Sequence, residues 1–286
     1  MQEFLLEPNE DQLVDIALAM PLDKKIHKAV ELLRLWEPMA LKMSPDGYWL
    51  AYSGGKDSDC ILELAKMAGV KYRPVYNVTT IDPPELVRYI KREHPEVEFS
   101  RQEKTLLTEM VENKSCLAPP TRLARWCCER YKEVGGNGMA KVLGVRVAES
   151  PRRKTLWKTV INNRKSGKII CPIVYWTDDD VWEFHKQRDL KYCHLYEEGF
   201  NRLGCVGCPM AGTEGQLKAF ARWPKYELLW KRAFKRFWEK WHGVPKRDGS
   251  PRYFEDFGDW ETFWEWWISG TSKTEDEQCQ GMSLFD

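Results

Sequence analysis

The chain has 286 residues, of which 43% are hydrophobic and 30% charged, and its formal net charge is +1 at pH 7. This composition is typical of a folded globular protein and excludes disordered, collagen-like and coiled-coil chains. No uncharged apolar stretch approaches the ~20 residues that a membrane-spanning helix needs, and the first residues lack the layout of a signal peptide, so we expect a cytoplasmic protein without membrane contact. Nine cysteines in such a chain favour metal binding or catalysis over a disulfide framework.

The near-zero net charge is the sum of basic and acidic blocks. Residues 121–170 carry 13 Lys and Arg against 3 Asp and Glu, and residues 216–247 carry 10 against 2. Residues 248–286 have the opposite excess, 2 against 10. Local basic surfaces of this kind serve anionic ligands such as nucleotides or a nucleic-acid backbone, although a basic block is equally typical of a solvated helix face.

The hydrophobic pattern alternates between short apolar runs of strand type and amphipathic helical stretches. In chain order it predicts a helical segment over 1–44, strands at 47–52, 70–78 and 141–147, and helices at 60–68 and 83–94. Strands that alternate with helices predict an α/β fold, in which a parallel sheet is joined by crossover helices.

From about Trp176 onward the pattern changes to helices rich in Trp and charge. The whole chain therefore divides into four predicted parts. These are an N-terminal helical segment (1–44), a nucleotide-binding domain with a cysteine site (45–215), a helical Trp-rich C-terminal extension (216–272) and a flexible polar tail (273–286).

The segment Ser53-Gly-Gly-Lys-Asp-Ser58 lies between the first predicted strand and the following helix. Gly54 and Gly55 allow a tight turn with exposed N–H groups, and the helix N-terminus adds its positive dipole end. The hydroxyls of Ser53 and Ser58 can donate hydrogen bonds to a phosphate, and Lys56 can neutralise its charge. The glycine spacing differs from that of a Walker A motif. The alternative is an ordinary capped turn, but glycines, hydroxyls and lysine at one strand-to-helix junction favour phosphate binding.

This segment resembles the PP-loop of the adenine-nucleotide alpha-hydrolase superfamily. Further along, Gly144-Val-Arg-Val-Ala-Glu-Ser-Pro-Arg152 and Pro172-Ile-Val-Tyr-Trp-Thr-Asp-Asp-Asp-Val-Trp182 resemble stretches of the phosphoadenosine phosphosulfate (PAPS) reductase family, as do residues 195–209. The resemblance covers about 45–215 in the order of the family. It implies an adenine nucleotide alpha-hydrolase-like fold that binds an adenine nucleotide, either ATP with Mg²⁺ or adenylyl sulfate or PAPS.

The resemblance also implies site residues. Gly144, Arg146 and Arg152 belong to the second stretch, and arginines are suited to bidentate contacts with phosphate or sulfate. The alternative for each arginine is a surface ion pair, for example with Glu149. In the loop, Lys56 is expected to stabilise a departing pyrophosphate, and Asp57 is expected either to hold Mg²⁺ or to cap the helix.

Two cysteine pairs stand out, Cys127-Cys128 and Cys205-Val-Gly-Cys208. Four thiolates can hold zinc or a [4Fe–4S] cluster, and a C-x-x-C pair alone is also typical of redox sites. Adjacent cysteines are unusual for structural zinc. In the resembling family a Cys-Cys pair followed by a distant C-x-x-C holds a [4Fe–4S] cluster, so a cluster on these four residues is expected, with zinc as the competing hypothesis.

The other cysteines have different expectations. Cys116 is either a spare thiol or a sulfur carrier. Cys279 lies in the tail and is the candidate nucleophile of a reductase, although the Glu-Cys-Gly motif of such reductases does not surround it. The remaining three are expected to be small buried hydrophobes: Cys60, Cys171 and Cys193.

The intact loop resembles that of superfamily members that split ATP between its α and β phosphates, whereas dedicated reductases have a degraded loop. The preferred hypothesis is therefore ATP-dependent adenylation and sulfur transfer to a nucleic acid, as in DNA phosphorothioation or RNA thiolation. Sulfur would come from a sulfur donor protein or the cluster. One alternative is reduction of adenylyl sulfate or PAPS by a thioredoxin-like reductant, with Cys279 as nucleophile. Another is a non-catalytic nucleotide-binding protein recruited to DNA.

The basic block at 216–247 is interleaved with aromatic residues. Trp230, Phe234, Phe237 and Trp241 form one helical stripe, which predicts core packing, while the basic faces remain available for a nucleic-acid backbone. The sequence at 281–285, Gly-Met-Ser-Leu-Phe, resembles the peptides that bind a bacterial sliding clamp, so the clamp is a further candidate partner.

Overall fold

The computed structural model describes residues 9–114, 118–163, 167–246, 248–252 and 254–270. Three features expected from the sequence lie outside these ranges, namely Cys116, Cys279 and the clamp-like peptide at 281–285. Within the described ranges no helix is both long and apolar enough to cross a membrane.

Helices account for most of the regular structure. The α-helices of the described residues are α1 (Glu10–Leu18), α2 (Leu22–Met43), α3 (Lys56–Ala68), α4 (Pro84–Glu93), α5 (Leu106–Glu112), α6 (Pro151–Leu156), α7 (Asp178–Gln187), α8 (Gly212–Arg222), α9 (Pro224–Trp241) and α10 (Trp260–Ser269). The predicted second helix matches α4, and the predicted first helix matches α3 except that α3 begins four residues earlier. Its end is the predicted one, because Gly69 adopts the left-handed conformation (φ 67°) that terminates a helix.

The strands form one sheet. They are β1 (Tyr48–Tyr52), β2 (Tyr72–Val78), β3 (Glu98–Arg101), β4 (Lys141–Val142), β5 (Val160–Asn163) and β6 (Gly167–Ile170). Their order across the sheet is β3-β2-β1-β4-β6-β5. All neighbours pair in parallel except β5, which is antiparallel to β6. The predicted α/β class is therefore confirmed, with one antiparallel edge strand that the sequence did not predict.

The connections place the loops after β1 and β4 side by side. From β1 the chain crosses through α3 to β2 and through α4 to β3, and it then returns to the other side of β1 to form β4. Such a reversal of strand order opens a crevice at the carboxyl ends of the two central strands, where α/β proteins bind ligands. The segment predicted as a strand over 141–147 pairs in the sheet only at Lys141–Val142. Among its remaining residues, Gly144 and Arg146 approach the loop after β1, whereas Leu143, Val145 and Val147 pack in a buried hydrophobic cluster.

The C-terminal helices share the core of the sheet domain. The predicted stripe on α9 is buried along its whole length, with Trp230, Phe234, Phe237 and Trp241 at most 7% exposed. Two indole N–H groups of α9 bond residues that precede the C-terminal helices. Trp230 Nε1 donates to the carbonyl of Val206 at 3.0 Å, and Trp241 Nε1 donates to that of Val111 at 2.9 Å. The interpretation of the stripe as core packing is confirmed.

Some of the basic residues of α8 and α9 are paired within the chain. Arg222 bonds Glu198 at 2.7 Å, and Lys231 bonds Glu227 at 2.6 Å. Lys218 donates to the carbonyl of Gly199 at 2.5 Å. These contacts leave less unpaired positive charge on the C-terminal helices than their composition indicates.

Candidate active site

The loop between β1 and α3 is built for close backbone approach. Gly54 has φ +72°, and a Cβ atom there would lie 2.7 Å from the side chains of Leu86 and Ile90, so no other residue fits without rearrangement. The Ser58 hydroxyl donates to the carbonyl of Gly55 at 2.7 Å, and the hydroxyls of Ser53 and Ser58 are 3.2 Å apart. The expected phosphate-binding residues thus form one continuous turn at the N-terminus of α3.

Two buried cations and two carboxylates alternate beside this loop. Arg146 is 2% exposed, and its Nε donates to Asp57 Oδ1 at 2.6 Å. Its Nη2 lies 2.8 Å from Oδ1 of Asp178, and the same oxygen lies 3.2 Å from Nζ of Lys56. Lys56 Nζ is also 3.5 Å from Asp57 Oδ2. The structure brings the predicted residues Lys56, Asp57 and Arg146 together and adds Asp178, which the sequence did not single out.

Two residues of later segments hold the loop from its far side. The backbone N–H of Lys56 donates to the Tyr196 hydroxyl at 2.9 Å, and the Lys56 carbonyl lies 2.9 Å from Nε2 of His185. Gly144 packs directly against the backbone of the loop. A Cβ atom at that position would lie only 3.1 Å from the carbonyl oxygen of Asp57. Tyr196, His185 and Gly144 therefore each contact the backbone of the loop at Lys56 or Asp57.

The two arginines that follow this stretch point in different directions. Arg152, the predicted ligand, is exposed, whereas the neighbouring Arg153 is half-buried and pairs with Glu149. Burial, together with the charges of Arg202 and Arg146, lowers the pKa of Arg153 to about 10. The charges of Arg146 and Asp57 therefore act on Arg153, which the sequence did not single out.

The four expected cysteines line one pocket, with about 350 Å³ of empty volume that is partly open to solvent. Cys127 and Cys128 begin a π-helical turn that ends at Lys132, and Cys205 and Cys208 lie in the turn before α8. The pairs meet because the N–H of Val206 donates to the Ile81 carbonyl at 2.8 Å, which fixes the second pair beside the end of β2. Cys60, Cys171 and Cys193 are buried, as expected.

Positive charge surrounds the cysteine pocket. A hydrogen bond from Cys127, together with the charges of Lys132 and Arg125, lowers the pKa of the Cys128 thiol to about 5. The negative charge of Cys205 in turn raises the pKa of Lys132 above its ordinary value. Among the described residues, no three Cys, His, Asp or Glu side chains converge as the ligands of a single metal ion do.

A group of arginines connects this pocket to the nucleotide loop. Arg125 lies 3.6 Å from the Cys128 sulfur through its Nη2, and its charge also acts on Arg153. Arg202, which is exposed, acts electrostatically on both Arg153 and Lys132. Arg125, Arg153 and Arg202, here called the arginine bridge, therefore place positive charge between the loop and the four thiols.

A buried carboxyl group, that of Asp59, forms hydrogen bonds next to the loop. Asp59, on the first turn of α3, is 3% exposed and accepts hydrogen bonds from the hydroxyls of Tyr52 and, at 3.0 Å, Tyr89. The Tyr89 hydroxyl also lies 3.1 Å from Nε2 of His94 and 2.8 Å from the carbonyl oxygen of Lys191. Because Tyr52 is the last residue before the loop, this network ties the start of the loop to α3 and α4.

We expect the variant Asp59→Asn to change the pH dependence of stability. Burial raises the pKa of Asp59 to about 7, so between about pH 4 and pH 7 the folded protein keeps a proton that the unfolded chain has released. The Asp59 contribution to stability is therefore fully present below pH 4, falls by up to ~1.4 kcal/mol per pH unit toward pH 7, and stays at its low value above pH 7. His94, whose pKa burial lowers, is the neighbouring titratable group.

Urea unfolding of both proteins from pH 5 to pH 8 measures this effect. The stability of Asp59→Asn relative to the unmodified protein should rise with pH and level off above pH 7. Tyr89→Phe removes one hydrogen bond without removing the carboxyl and is the matched control. A stability difference that stays constant with pH would contradict a proton held by Asp59.

Comparison with known proteins agrees with the geometry. A family model described as the phosphoadenosine phosphosulfate reductase domain matches residues 47–211. An adenosine 5′-phosphosulfate reductase of Staphylococcus haemolyticus is 26% identical over 148 residues, which are 50% of this chain and 61% of that protein. An uncharacterised protein of Methanocaldococcus jannaschii is 30% identical over 209 residues, or 68% of this chain and 40% of that one. The chain spans less than two thirds of the length of these curated relatives.

Solved structures were compared as well. A PAPS reductase from Candida auris, solved as a phosphate complex, has a TM-score of 0.41 and 15% sequence identity, covering 68% of this chain and 93% of that one. An FMN adenylyltransferase from Candida glabrata has a TM-score of 0.44 and 15% identity, covering 69% and 71%. Since the family domain takes up more than half of its length, the chain belongs to the phosphoadenosine phosphosulfate reductase family.

Proposed function

We propose that this protein is a PP-loop enzyme of sulfur chemistry that activates an acceptor with ATP. In the first step, an acceptor oxygen attacks the α-phosphate of ATP and pyrophosphate leaves. In the second, a hydrosulfide ion displaces AMP, so that the bond to oxygen breaks and a bond to sulfur forms. The observation that carries this proposal is the intact loop, with buried Lys56 and Arg146 at its edge and a four-thiol pocket reached across the arginine bridge.

The residues of the loop have distinct roles in this proposal. The N–H groups at the start of α3 and the Lys56 ammonium stabilise the negative charge that develops on the departing pyrophosphate. Asp57 faces both Lys56 and Arg146, where it can accept Mg²⁺ that accompanies the phosphates. The buried guanidinium of Arg146 provides a second cation, suited to bidentate contacts with the phosphates of the nucleotide.

We propose a [4Fe–4S] cluster rather than zinc for the four-thiol pocket, because adjacent cysteines such as Cys127 and Cys128 are unusual ligands of structural zinc. All four cysteines line one pocket, and the charges of Lys132 and Arg125 beside it would offset those of four thiolates. A cluster bound there would supply sulfur or electrons beside the activated substrate.

Replacing Cys128 with Ser tests the cluster. After anaerobic reconstitution with iron and sulfide, we expect the unmodified protein to show visible-range iron–sulfur absorption and the variant to lose it, together with its bound iron. Cys171→Ala, which removes a buried thiol far from the pocket, is the control and should keep the absorption. A colourless unmodified protein with stoichiometric zinc would contradict the cluster.

The arginine bridge favours a polyanionic acceptor. Arg202 is exposed beside the pocket, and Arg152 is exposed on the neighbouring helix α6, so positive charge continues from the buried site to the surface. A nucleic-acid backbone binds such surfaces without sequence recognition. We therefore propose nucleic acid as the acceptor and this surface, which lies beside the pocket, as its contact. The sliding clamp stays a prediction from the sequence alone.

The second candidate is reduction of adenylyl sulfate or PAPS. The observation that favours it is that curated relatives are named adenosine 5′-phosphosulfate reductase. That reaction would use a thioredoxin-like reductant, and its proposed nucleophile, Cys279, lies outside the described residues. The arginine bridge is equally suited to a sulfate group, so the residues of the site alone do not separate the two reactions.

A product assay separates the two candidates. The anaerobically reconstituted protein is incubated in parallel with ATP, Mg²⁺, sulfide and nucleic acid, and with adenylyl sulfate or PAPS and a dithiol. Release of pyrophosphate and AMP in the first reaction supports the proposed function. Dithiol-dependent release of sulfite in the second, without pyrophosphate in the first, would replace it with the reductase.

A further inference from the structure

One carboxylate oxygen occupies the position between the two buried cations of the loop. Oδ1 of Asp178 lies 2.8 Å from Arg146 Nη2 and 3.2 Å from Lys56 Nζ. A phosphate or sulfate oxygen that contacted both cations would have to lie at the same point, because charge-assisted hydrogen bonds have the same short lengths for either kind of oxygen. Asp178 therefore holds the place of an anionic ligand atom.

The charges around the loop are balanced while Asp178 is in place. Lys56 and Arg146 have side chains 8% and 2% exposed, and Asp57 and Asp178 neutralise them. Glu149 lies farther from Arg146, at 3.7 Å, and pairs more closely with Arg153. A nucleotide that approaches this balanced group gains no net attraction from the two cations until one carboxylate leaves. The anionic ligand and a carboxylate thus compete for the same cations.

Exposure decides which carboxylate leaves. The Asp57 side chain is 22% exposed, whereas that of Asp178 is 68% exposed and can turn into water with little rearrangement. Burial would raise the pKa of Asp178, but the charges of Arg146 and Lys56 outweigh burial and keep that pKa below its ordinary value. The Asp178 carboxylate is therefore ionised and competes over the whole physiological pH range.

The helix that carries Asp178 is fixed without it. Thr177 and Asp180 form a capping box at the start of α7, and Asp180 also bonds Lys25 at 2.5 Å. Removing the Asp178 carboxylate should leave this helix start in place. The neighbouring Asp179 is exposed, lies on the same helical turn and has no ion pair within the described residues, so it provides a matched control for charge.

We propose that Asp178 is a specificity-determining residue, an internal counter-ion that the anionic group of the nucleotide displaces from Lys56 and Arg146. Among anionic ligands it selects those whose negative charge at this point exceeds that of one carboxylate, namely adenine nucleotides with a polyphosphate or phosphosulfate group, over singly charged anions. This inference rests on nucleotide binding at the proposed site and holds for either proposed reaction.

Binding measurements on Asp178→Asn test the proposal. Isothermal titration calorimetry is done with ATP, with inorganic pyrophosphate and with adenosine, each with Mg²⁺ and with EDTA. Asp178→Asn should bind ATP and pyrophosphate about threefold to tenfold more tightly than the unmodified protein in both conditions, and adenosine with unchanged affinity. Asp179→Asn, which removes the same charge from the same turn, should change ATP affinity by less than about twofold.

Two outcomes would overturn the proposal. Weaker ATP binding by Asp178→Asn in Mg²⁺ but not in EDTA would make Asp178 a metal ligand instead. Equal changes for ATP and adenosine would assign it a structural role only. Failure of the proposed function is a separate result. If the protein binds ATP as described but releases no pyrophosphate, the proposed adenylation reaction is wrong, whereas the role of Asp178 as the displaced counter-ion still holds.

Discussion

Replacing Lys56 with Ala is expected to lower the pyrophosphate-forming activity by about 10²–10³-fold. The Lys56 ammonium lies 8% exposed at the N-terminus of α3, where low water content strengthens its attraction for the charge that develops on pyrophosphate. Its loss also leaves Asp57 and Asp178 sharing Arg146 alone, which opposes the approach of an anion. The rate of pyrophosphate release under saturating ATP measures the effect.

Lys66→Ala is the matched control for this variant. Lys66 lies on the same helix, but its side chain is 44% exposed and pairs with Glu96 on the surface. Its removal should leave the rate within about twofold. If Lys56→Ala kept the full rate while still binding ATP, the assignment of the loop as the phosphate site of the reaction would be wrong.

The second large effect concerns stability. We expect Phe234→Ala to lower the free energy of unfolding by about 3–5 kcal/mol, the cost of removing a large ring from a packed core. The Phe234 side chain is fully buried, and its ring centre lies 5.4 Å from that of Phe263 and 5.0 Å from those of Trp264 and Trp267. Urea unfolding followed by tryptophan fluorescence measures the change.

Leu228→Ala is the control on the same helix. Leu228 is 54% exposed, so its truncation should change stability by no more than about 0.5 kcal/mol. A loss below about 1 kcal/mol for Phe234→Ala would contradict the packing of α9 against α10. Because one core includes both α9 and the sheet, we also expect nucleotide affinity and fluorescence to be lost in a single transition.

The sequence predicted the first half of the sheet because its signals are local. An aromatic run, a glycine-rich turn and a helix that ends at Gly69 follow one another within about twenty residues. In contrast, β3 (Glu98–Arg101) has a charged residue at each end and only half-buried positions between them, so it lacks the alternation that marks a strand. It forms because it pairs with β2, and that tertiary contact leaves no periodic signal.

The site was predictable where a motif contains its residues. Lys56 and Asp57 belong to one six-residue motif, Ser53 to Ser58, and the two cysteine pairs are recognisable by the spacing of their residues. Asp178 was missed because it is 122 residues from Lys56 and reaches the loop only through the position of α7, although the change of pattern at about Trp176 did indicate helices there. Only the fold could show this contact.

The choice between Arg152 and Arg153 shows a second limit. Successive residues on a helix point about 100° apart, so a one-residue difference decides whether a side chain faces the site or the solvent. The motif places both residues at the start of α6, and only the orientation of that helix makes Arg153 half-buried beside Glu149. A sequence motif therefore locates the segment but not which of its side chains are buried, and Arg152 as a ligand stays a prediction.

Incorporation of labelled sulfur into nucleic acid tests the proposed function most directly. The anaerobically reconstituted protein is incubated with radioactive sulfide, Mg²⁺, mixed DNA and RNA, and either ATP or α,β-methylene ATP, which cannot lose pyrophosphate. We expect label in the nucleic acid with ATP only, and none with Lys56→Ala. Equal labelling with both nucleotides, or no labelling from a protein that releases sulfite from adenylyl sulfate, would contradict ATP-dependent sulfur transfer.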